Sequence, residues 1–424
     1  LQFGFQKGTG TNMCSWAITS VIDYYNRAGR PAFACSMDLS KAFNVVSWIQ
    51  LFKELEDREV SPAVLRTLLY IYRGQTYQVQ WNNSVSRLFK VYNGVKQGAV
   101  SSPILFCIYM NKLILRLRVY STGCQLGGVF MGIFVYADDI ILLAPSRNGL
   151  QNMVNVCEQF ANLFSMKFST NNVVEKSKTK CIIFTKYPID TVNILPIYLD
   201  DVPLPYVDHV KHLGCTLQTD NSFTRDINQK RGQFIAKIHS LNQEFYFAES
   251  SVLIKLYNLY ATSIYGSNLW NLFSNNVFRI YSSWNTAVRI VFKLPNTCHR
   301  YFIEPLSQSS HLMTMLCSRF VSFISSLENS SKICIRLLIN LLKFDQRSVT
   351  AKNLRNIADK CNKDLNVIDK YIVQNCMIFQ EIPVDEEWRI PFLNELISAK
   401  NNKIVIDGID QAELDDIINF ICTT

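Results

Sequence analysis

The stretch "FVYADDIILLA", residues 134–144, places two adjacent carboxylates, Asp138 and Asp139, between two apolar runs. Apolar runs of this length, bounded by a turn signal, read as the two strands of a buried hairpin. An acid buried in such a hairpin is costly unless it is paired or bound to a metal. Two of them side by side ask for a strong positive charge. Taken alone, "ADD" is also a common solvated turn, so its meaning depends on what the rest of the chain brings to it.

One such contribution comes from "PAFACSMDL", residues 31–39, which alternates as a strand does and carries Asp38 at its end. Carboxylates from neighbouring strands at a sheet edge make a divalent-metal site of hard oxygen ligands. Two Mg²⁺ ions about 3.5–4 Å apart stabilise both the attacking and the leaving oxygen in phosphoryl transfer. A strand-end Asp also commonly caps the following helix, so Asp38 gains its weight only from company. The chain has 5 histidines, none close to these acids in sequence, which disfavours a zinc hydrolase. No GxxxxGK[ST] loop or GxGxxG turn occurs, which removes the P-loop and dinucleotide readings.

At 424 residues the chain can hold two or three domains, and 48% hydrophobic against 18% charged residues marks it as globular. Its net charge of +9 is uneven: residues 385–424 hold nine acidic against three basic residues, leaving about +15 on the remainder. That excess favours a polyanionic partner. The 13 cysteines are irregularly spaced without a CxxC, and read as free thiols in a reducing compartment. His209, His212 and Cys215 in "HVKHLGC" have a zinc-like spacing but no evident fourth ligand. The uncharged stretch 119–137 is interrupted by polar residues and glycines and does not read as a membrane span. The chain opens on Leu1 in mid-pattern, which reads as a fragment whose start lies upstream.

Periodicity predicts an α+β core to about residue 220 and a helical region after it. Following the strand that ends at Asp38, an amphipathic helix is predicted with Phe43, Trp48, Phe52 and Leu55 near helical spacing. A second helix is predicted over 62–73, then a hairpin turning at Asn82-Asn83. Ser102 as N-cap and Pro103 as first residue open a long apolar helix to about Arg118. The acidic hairpin spans 128–144, a helix 147–166, and "KCIIFTK" is a strand.

Five segments then occur in order: "SMDLSKAF" (36–43), "GVKQGAVSSPILF" (94–106), "FVYADDIILLA", "KSKTKCIIF" (176–184) and "VKHLGCTL" (210–217). They resemble the successive palm motifs of reverse transcriptases of non-LTR (LINE-type) retrotransposons, and "LQFGFQKGTGT" at the start resembles a fingers motif of the same enzymes. The resemblance covers about residues 1–310. It implies a right-hand polymerase: partial fingers over 1–30, a ferredoxin-like palm over 31–220 with a fingers insertion at about 60–93, a helical thumb over 221–310, and a C-terminal helical extension, 311–424, of no assigned role.

On that resemblance Asp38 and Asp138 would hold two Mg²⁺ ions (Mn²⁺ being a substitute), with Asp139 in support and Leu39 adding its backbone carbonyl. A primer 3′-hydroxyl would attack the α-phosphate of a dNTP, copying an RNA template onto a DNA primer. Phe43 would exclude a 2′-hydroxyl, although by itself it is also ordinary core. Gln97 would line the nucleotide pocket, and Gly98 would let backbone approach the base pair; without the family, the same segment is a turn leading into a capped helix. Of Lys176, Lys178 and Lys180, a run that composition alone makes a solvated face, Lys178 would lie near the triphosphate. His212, Leu213 and Gly214 would form the primer grip, which leaves no need for zinc there. Aromatics beside arginines, Phe278-Arg279 and Trp284 with Arg289, stand at helical spacing and read as core more than as a nucleic-acid surface.

Departures from the pattern are Asn44 where Asp is usual, "AVS" where "CPL" is frequent, and the lack of the upstream fingers strands and of an apurinic-endonuclease-like domain. They set an inactive remnant that only binds nucleic acid beside the polymerase as an alternative. A group II intron maturase shares the palm but would carry a different helical domain and often an HNH-type cluster. The family implies intracellular, nuclear action without a membrane.

Overall fold

The computed structural model describes residues 1–171, 177–186, 193–298, 302 and 312–376, with isolated residues 397, 414, 415 and 418. Lys176 and most of the acidic tail lie outside them, as does part of the stretch after residue 298. The described chain divides into two compact bodies, Leu1–Ser222 with Ser330–Leu338, and Phe223–Asn329 with Ile339–Thr424.

In the first body, strands β1 (Ala32–Asp38), β2 (Ile133–Tyr136), β3 (Asp139–Ala144) and β4 (Lys180–Phe184) form one antiparallel sheet in the order β4-β1-β3-β2. Helices α2 (Trp48–Glu56), α3 (Pro62–Arg73) and α4 (Ser102–Tyr120) fall between β1 and β2, and α5 (Arg147–Leu163) between β3 and β4. One face of the sheet, with Cys35, Met37, Ile140 and Leu142, packs into a core with Tyr109 and Leu113 of α4 and Met153 and Phe160 of α5. On the other face Ala34, Ile141 and Leu143 are also fully buried, and helix α1 (Thr11–Arg27) packs against β1 and β2. Burial on both faces explains why "IILLA" reads as a continuous apolar run rather than an alternating one.

Local signals set most helix starts. Ser61 accepts from the Val64 N–H at 3.4 Å with Pro62 at the first helical position, the arrangement that stabilises an N-terminus. The predicted hairpin turns at Asn82-Asn83, between Gln80–Trp81 and Ser84–Val85. Two boundaries differ from expectation. Phe43 is not helical: residues 40–45 form turns, and α2 begins at Trp48, capped by Ser47. Ser101, not Ser102, is the N-cap of α4, and its side chain makes no cap bond.

The second body is helical: α6 (Thr224–Glu244), α7 (Ser250–Leu256), α8 (Asn275–Val291), α9 (Leu312–Glu328), α10 (Ile333–Phe344, entering from the first body), α11 (Val349–Cys361) and α12 (Lys370–Cys376). Helix α6 packs on α8 and α9 on α12. The fully buried Trp270 donates its indole N–H to Asp226 at 3.0 Å, and the buried Asn353 side chain bonds to the backbone of both Trp270 and Leu272. Trp284 is core at 1% exposure, whereas Phe278 is 44% exposed; Arg289 donates to the Cys298 carbonyl rather than facing a ligand.

Among the described residues no helix is long and apolar enough to cross a membrane, and the cysteines from Cys14 to Cys361 are buried and form no disulfide. Tyr109 is the buried tie that holds α4 against its neighbours: its hydroxyl donates to the Phe164 carbonyl at 2.7 Å and accepts from the Ser47 N–H at 3.3 Å. Replacing Tyr109 with Phe leaves both backbone groups unpaired. Urea unfolding of Tyr109→Phe is expected to show a loss of about 1–3 kcal/mol.

Candidate active site

The acids meet through strand register. Asp38, the last residue of β1, stands directly opposite Asp139, the first residue of β3, and opposed residues in an antiparallel pair project from the same face. Tyr136 pairs with Asp139, which leaves Ala137 and Asp138 as a two-residue loop. Asp138 thus sits at the turn itself, and it is Asp139 that the ladder sets against Asp38. Both hairpin acids are exposed, not buried as the apolar flanks predict. They lie where the sheet runs out, one residue beyond the fully buried Ile140.

The electrostatics are those of a site short of positive charge. Partial burial, then the neighbouring charges of Asp138 and Asp38, push the Asp139 carboxyl upward from the ordinary carboxylate value. Like charges placed opposite one another on a sheet destabilise it, and a cation between them reverses the sign. The Lys178 ammonium approaches Asp38 at 3.6 Å, with its side chain 69% exposed. Such an open pair contributes little to stability but keeps a mobile cation beside the carboxylate. The Asp38 N–H donates to the buried Thr179 hydroxyl at 3.4 Å, and its carbonyl accepts from the Ser169 N–H at 2.8 Å. Sequence reasoning missed Thr179 as a support; its neighbours Lys178 and Lys180 were the visible signal. Among the described residues no three His, Cys, Asp or Glu side chains form a ready-made ligand cluster. The three aspartates fit a divalent cation by donor type and by their repulsion, with the side chains standing apart.

Beside the acids, two loops are laced together. The Phe43 carbonyl accepts from the Val95 N–H and the Val46 carbonyl from the Gly94 N–H, both at 2.8 Å, while the Trp48 indole donates to the Gly94 carbonyl at 2.7 Å. A Cβ on Gly94 would stand 2.9 Å from the Asn44 carbonyl oxygen, and its φ is +91°; only glycine allows this approach. The half-buried Phe43 ring stacks on the buried Phe106 at 4.7 Å, which backs the ring with rigid core. Gln97 is exposed, and Gly98, with φ +85°, has open space where a side chain would be. The Leu39 side chain is buried, and Leu39 bridges to Phe168.

The remaining predicted residues form a hairpin, β5 (His209–His212) and β6 (Cys215–Gln218), turning at Leu213 and Gly214, which have φ of 47° and 76°. His209 and His212 cannot share a zinc ion: alternation exposes His209, which bonds to Asp208 at 2.6 Å, and buries His212. The His212 side chain is buried, and Leu213 and Gly214 form the turn itself. Burial depresses the imidazole to about 4, and its Nε2 is without a hydrogen-bond partner.

Residues 1–217 match the family described as reverse transcriptase (RNA-dependent DNA polymerase). The chain belongs to the reverse transcriptase family. Similar proteins include the probable RNA-directed DNA polymerase from transposon X-element of Drosophila melanogaster, 25% identical over 316 residues, covering 70% of this chain and 33% of that protein. The Pol polyprotein of retrotransposable element R2 of Nasonia vitripennis is 28% identical over 42% of this chain and 17% of its own length. The polymerase from mobile element jockey of Drosophila funebris is 24% identical over 57% of this chain and 25% of its own. The chain therefore spans about a third or less of these relatives, and its resemblance to reverse transcriptases of non-LTR retrotransposons stands. Membership places the chain among right-hand polymerases, a family that uses divalent metal ions. A telomerase from Candida albicans, solved in complex with a fragment of telomeric RNA, aligns over 88% of this chain and 53% of that chain at 12% identity and TM-score 0.36.

Two pH effects follow. The raised Asp139 carboxyl contributes stability below its ordinary value of 3.8 that is lost as pH rises through the folded value. Asp139→Asn is therefore expected to melt higher than the parent at pH 7 without divalent metal, an advantage that shrinks below about pH 4. For His212 the sign is opposite: its contribution is complete above 6.5 and is lost as pH falls through about 4. His212→Leu is expected to flatten the acid-unfolding curve across that window.

Proposed function

We propose that this chain is the polymerase portion of a non-LTR retrotransposon reverse transcriptase, adding deoxynucleotides to a DNA primer on an RNA template. The observation that carries the reading is the register opposing Asp38 to Asp139, with Asp138 next in the chain. Asp38 and Asp138 would hold two Mg²⁺ ions, or Mn²⁺, with Asp139 in support. When bound, the ions neutralise the triphosphate and make the primer 3′-hydroxyl more acidic. The hydroxyl oxygen loses its proton to solvent and bonds to the α-phosphorus as the bond to the β-phosphate breaks and pyrophosphate leaves.

The chain's other residues bind and orient. Lys178, free to swing on an exposed stem, reaches the triphosphate and can give the leaving pyrophosphate a proton. The Phe43 ring, braced by Phe106, meets the sugar and excludes a 2′-hydroxyl; Gln97 and Gly98 line the base side, and Leu39 contributes its carbonyl. Leu213 and Gly214 support the primer end. Template and primer are held mainly through phosphates. A groove of about 700 Å³ lined by Trp48, Phe52 and Leu69 together with Arg66, Arg73 and Lys90 suits a single strand, since aromatic faces stack bases while cations follow the backbone. In this reading residues 1–30 are partial fingers, 31–220 a ferredoxin-like palm with a fingers insertion at 60–93, 221–310 the thumb and 311–424 an extension. The site of action is nuclear, where a chromosomal primer is found.

Primer extension on an RNA template with dNTPs and Mg²⁺ tests this. Asp138→Ala is expected to abolish extension while leaving the far-UV spectrum and primer–template affinity intact, and extension retained in that variant would overturn the metal assignment. A wild-type chain that binds primer–template but never extends it would establish the inert remnant instead. Phe43→Val is expected to lower discrimination against ribonucleotides by about tenfold or more, measured as the ratio of kcat/KM for the two sugars.

A further inference from the structure

We infer that the buried amide of Gln2 is a positioning residue for the acidic turn, setting where Asp138 and Asp139 stand relative to Asp38. The inference rests on the polymerase reading for its catalytic consequence.

Ala137 opens the two-residue loop with φ +59°, a left-handed conformation that a residue with a Cβ adopts only under strain. A hairpin of this length ordinarily places Gly, Asn or Asp there. Something outside the hairpin therefore has to hold Ala137 in place, and the N-terminal segment supplies it. Residues 1–3 run beside β2, with Gln2 bridging Val135 in parallel, the Phe3 N–H donating to the Val135 carbonyl at 2.8 Å and the Val135 N–H to the Leu1 carbonyl at 3.2 Å. From this strap the Gln2 side-chain oxygen accepts from the Ala137 N–H at 3.2 Å and from the Gly4 N–H at 2.9 Å. Gln2 is 6% exposed, and two backbone donors on one oxygen fix the amide's orientation. Its Nε2 has no hydrogen-bond partner, so what Gln2 gains by burial comes from the acceptor.

The strap is itself anchored. The Lys332 ammonium donates to the Gln2 carbonyl at 2.7 Å and lies 5.0 Å from the centre of the Phe3 ring, which is fully buried beside Phe134. Gly4 lies so close to the turn that a Cβ there would stand 2.5 Å from the Ala137 nitrogen, and what it would meet is backbone, which cannot swing aside. Gln2 and Gly4 thus grip the one peptide that precedes both acids.

Gln2→Met keeps the side-chain volume and removes the acceptor, and Gln2→Glu keeps an acceptor in place. The full chain is assayed for Mn²⁺ binding by the EPR signal of the free ion, for primer extension and for primer–template affinity. Outer partners of metal ligands typically govern about 10–100-fold in metal affinity or activity. Gln2→Met is expected to weaken Mn²⁺ binding and to lower kcat by about tenfold or more, with primer–template affinity unchanged and Gln2→Glu recovering most of both. Wild-type Mn²⁺ affinity and kcat in Gln2→Met would overturn the inference, as would a Gln2→Glu variant as impaired as Gln2→Met, whether or not Gln2→Met melts lower. A wild-type chain that binds Mn²⁺ but does not extend a primer would sink the polymerase reading alone, and the Mn²⁺ measurements would still decide the role of Gln2.

Discussion

Two like charges face each other at the end of an otherwise apolar ladder. Asp38 opposes Asp139 because Met37 opposes Ile140, Ser36 opposes Ile141 and Cys35 opposes Leu142, and those pairs are set by burial on two faces. A slip of one residue would turn every side chain of β3 to the wrong face. The hydrophobic register thus imposes an electrostatic repulsion that the site itself would never choose. Partial burial first, and that repulsion second, push the Asp139 carboxyl upward. Like charges opposed in this way would be relieved by a cation bound between them.

Around this point the molecule is rigid where geometry matters and open where ligands must pass. Tyr109, Phe106 and the Gly94 backbone tie α2, α4 and the Phe43 turn to the core, so the ring proposed to read the sugar stands on packed structure. Gln97, Gly98 and Lys178 are exposed. The strap through Gln2 and Gly4 belongs to the rigid set, although it comes from the far end of the chain. Family membership over residues 1–217 coincides with the body that holds all of these groups, and the helical second body contributes none of the acids.

Much of the local structure is legible in the residues. The Pro62 start with its Ser61 cap, the Asn82-Asn83 turn and the continuous "IILLA" strand follow from capping, turn chemistry and burial, each acting within a few residues. Phe43 shows where such reasoning stops: its spacing from Trp48 suits a helix, yet its carbonyl bonds to Val95 and its ring stacks on Phe106, contacts that outweigh local propensity. His212 and Cys215 likewise have a metal-like spacing that strand alternation cancels.

The sequence by itself determined that two acids sit at a hairpin turn, that a third ends an earlier strand, and that ordered motifs join them into a reverse transcriptase. Only the tertiary structure decided that Asp139 rather than Asp138 opposes Asp38, that the two hairpin acids are exposed, and that Gln2 braces their turn. The reason is physical: patterns of period and capping are written in adjacent residues, whereas register and cross-chain hydrogen bonds arise when distant segments compete to bury the same apolar surface.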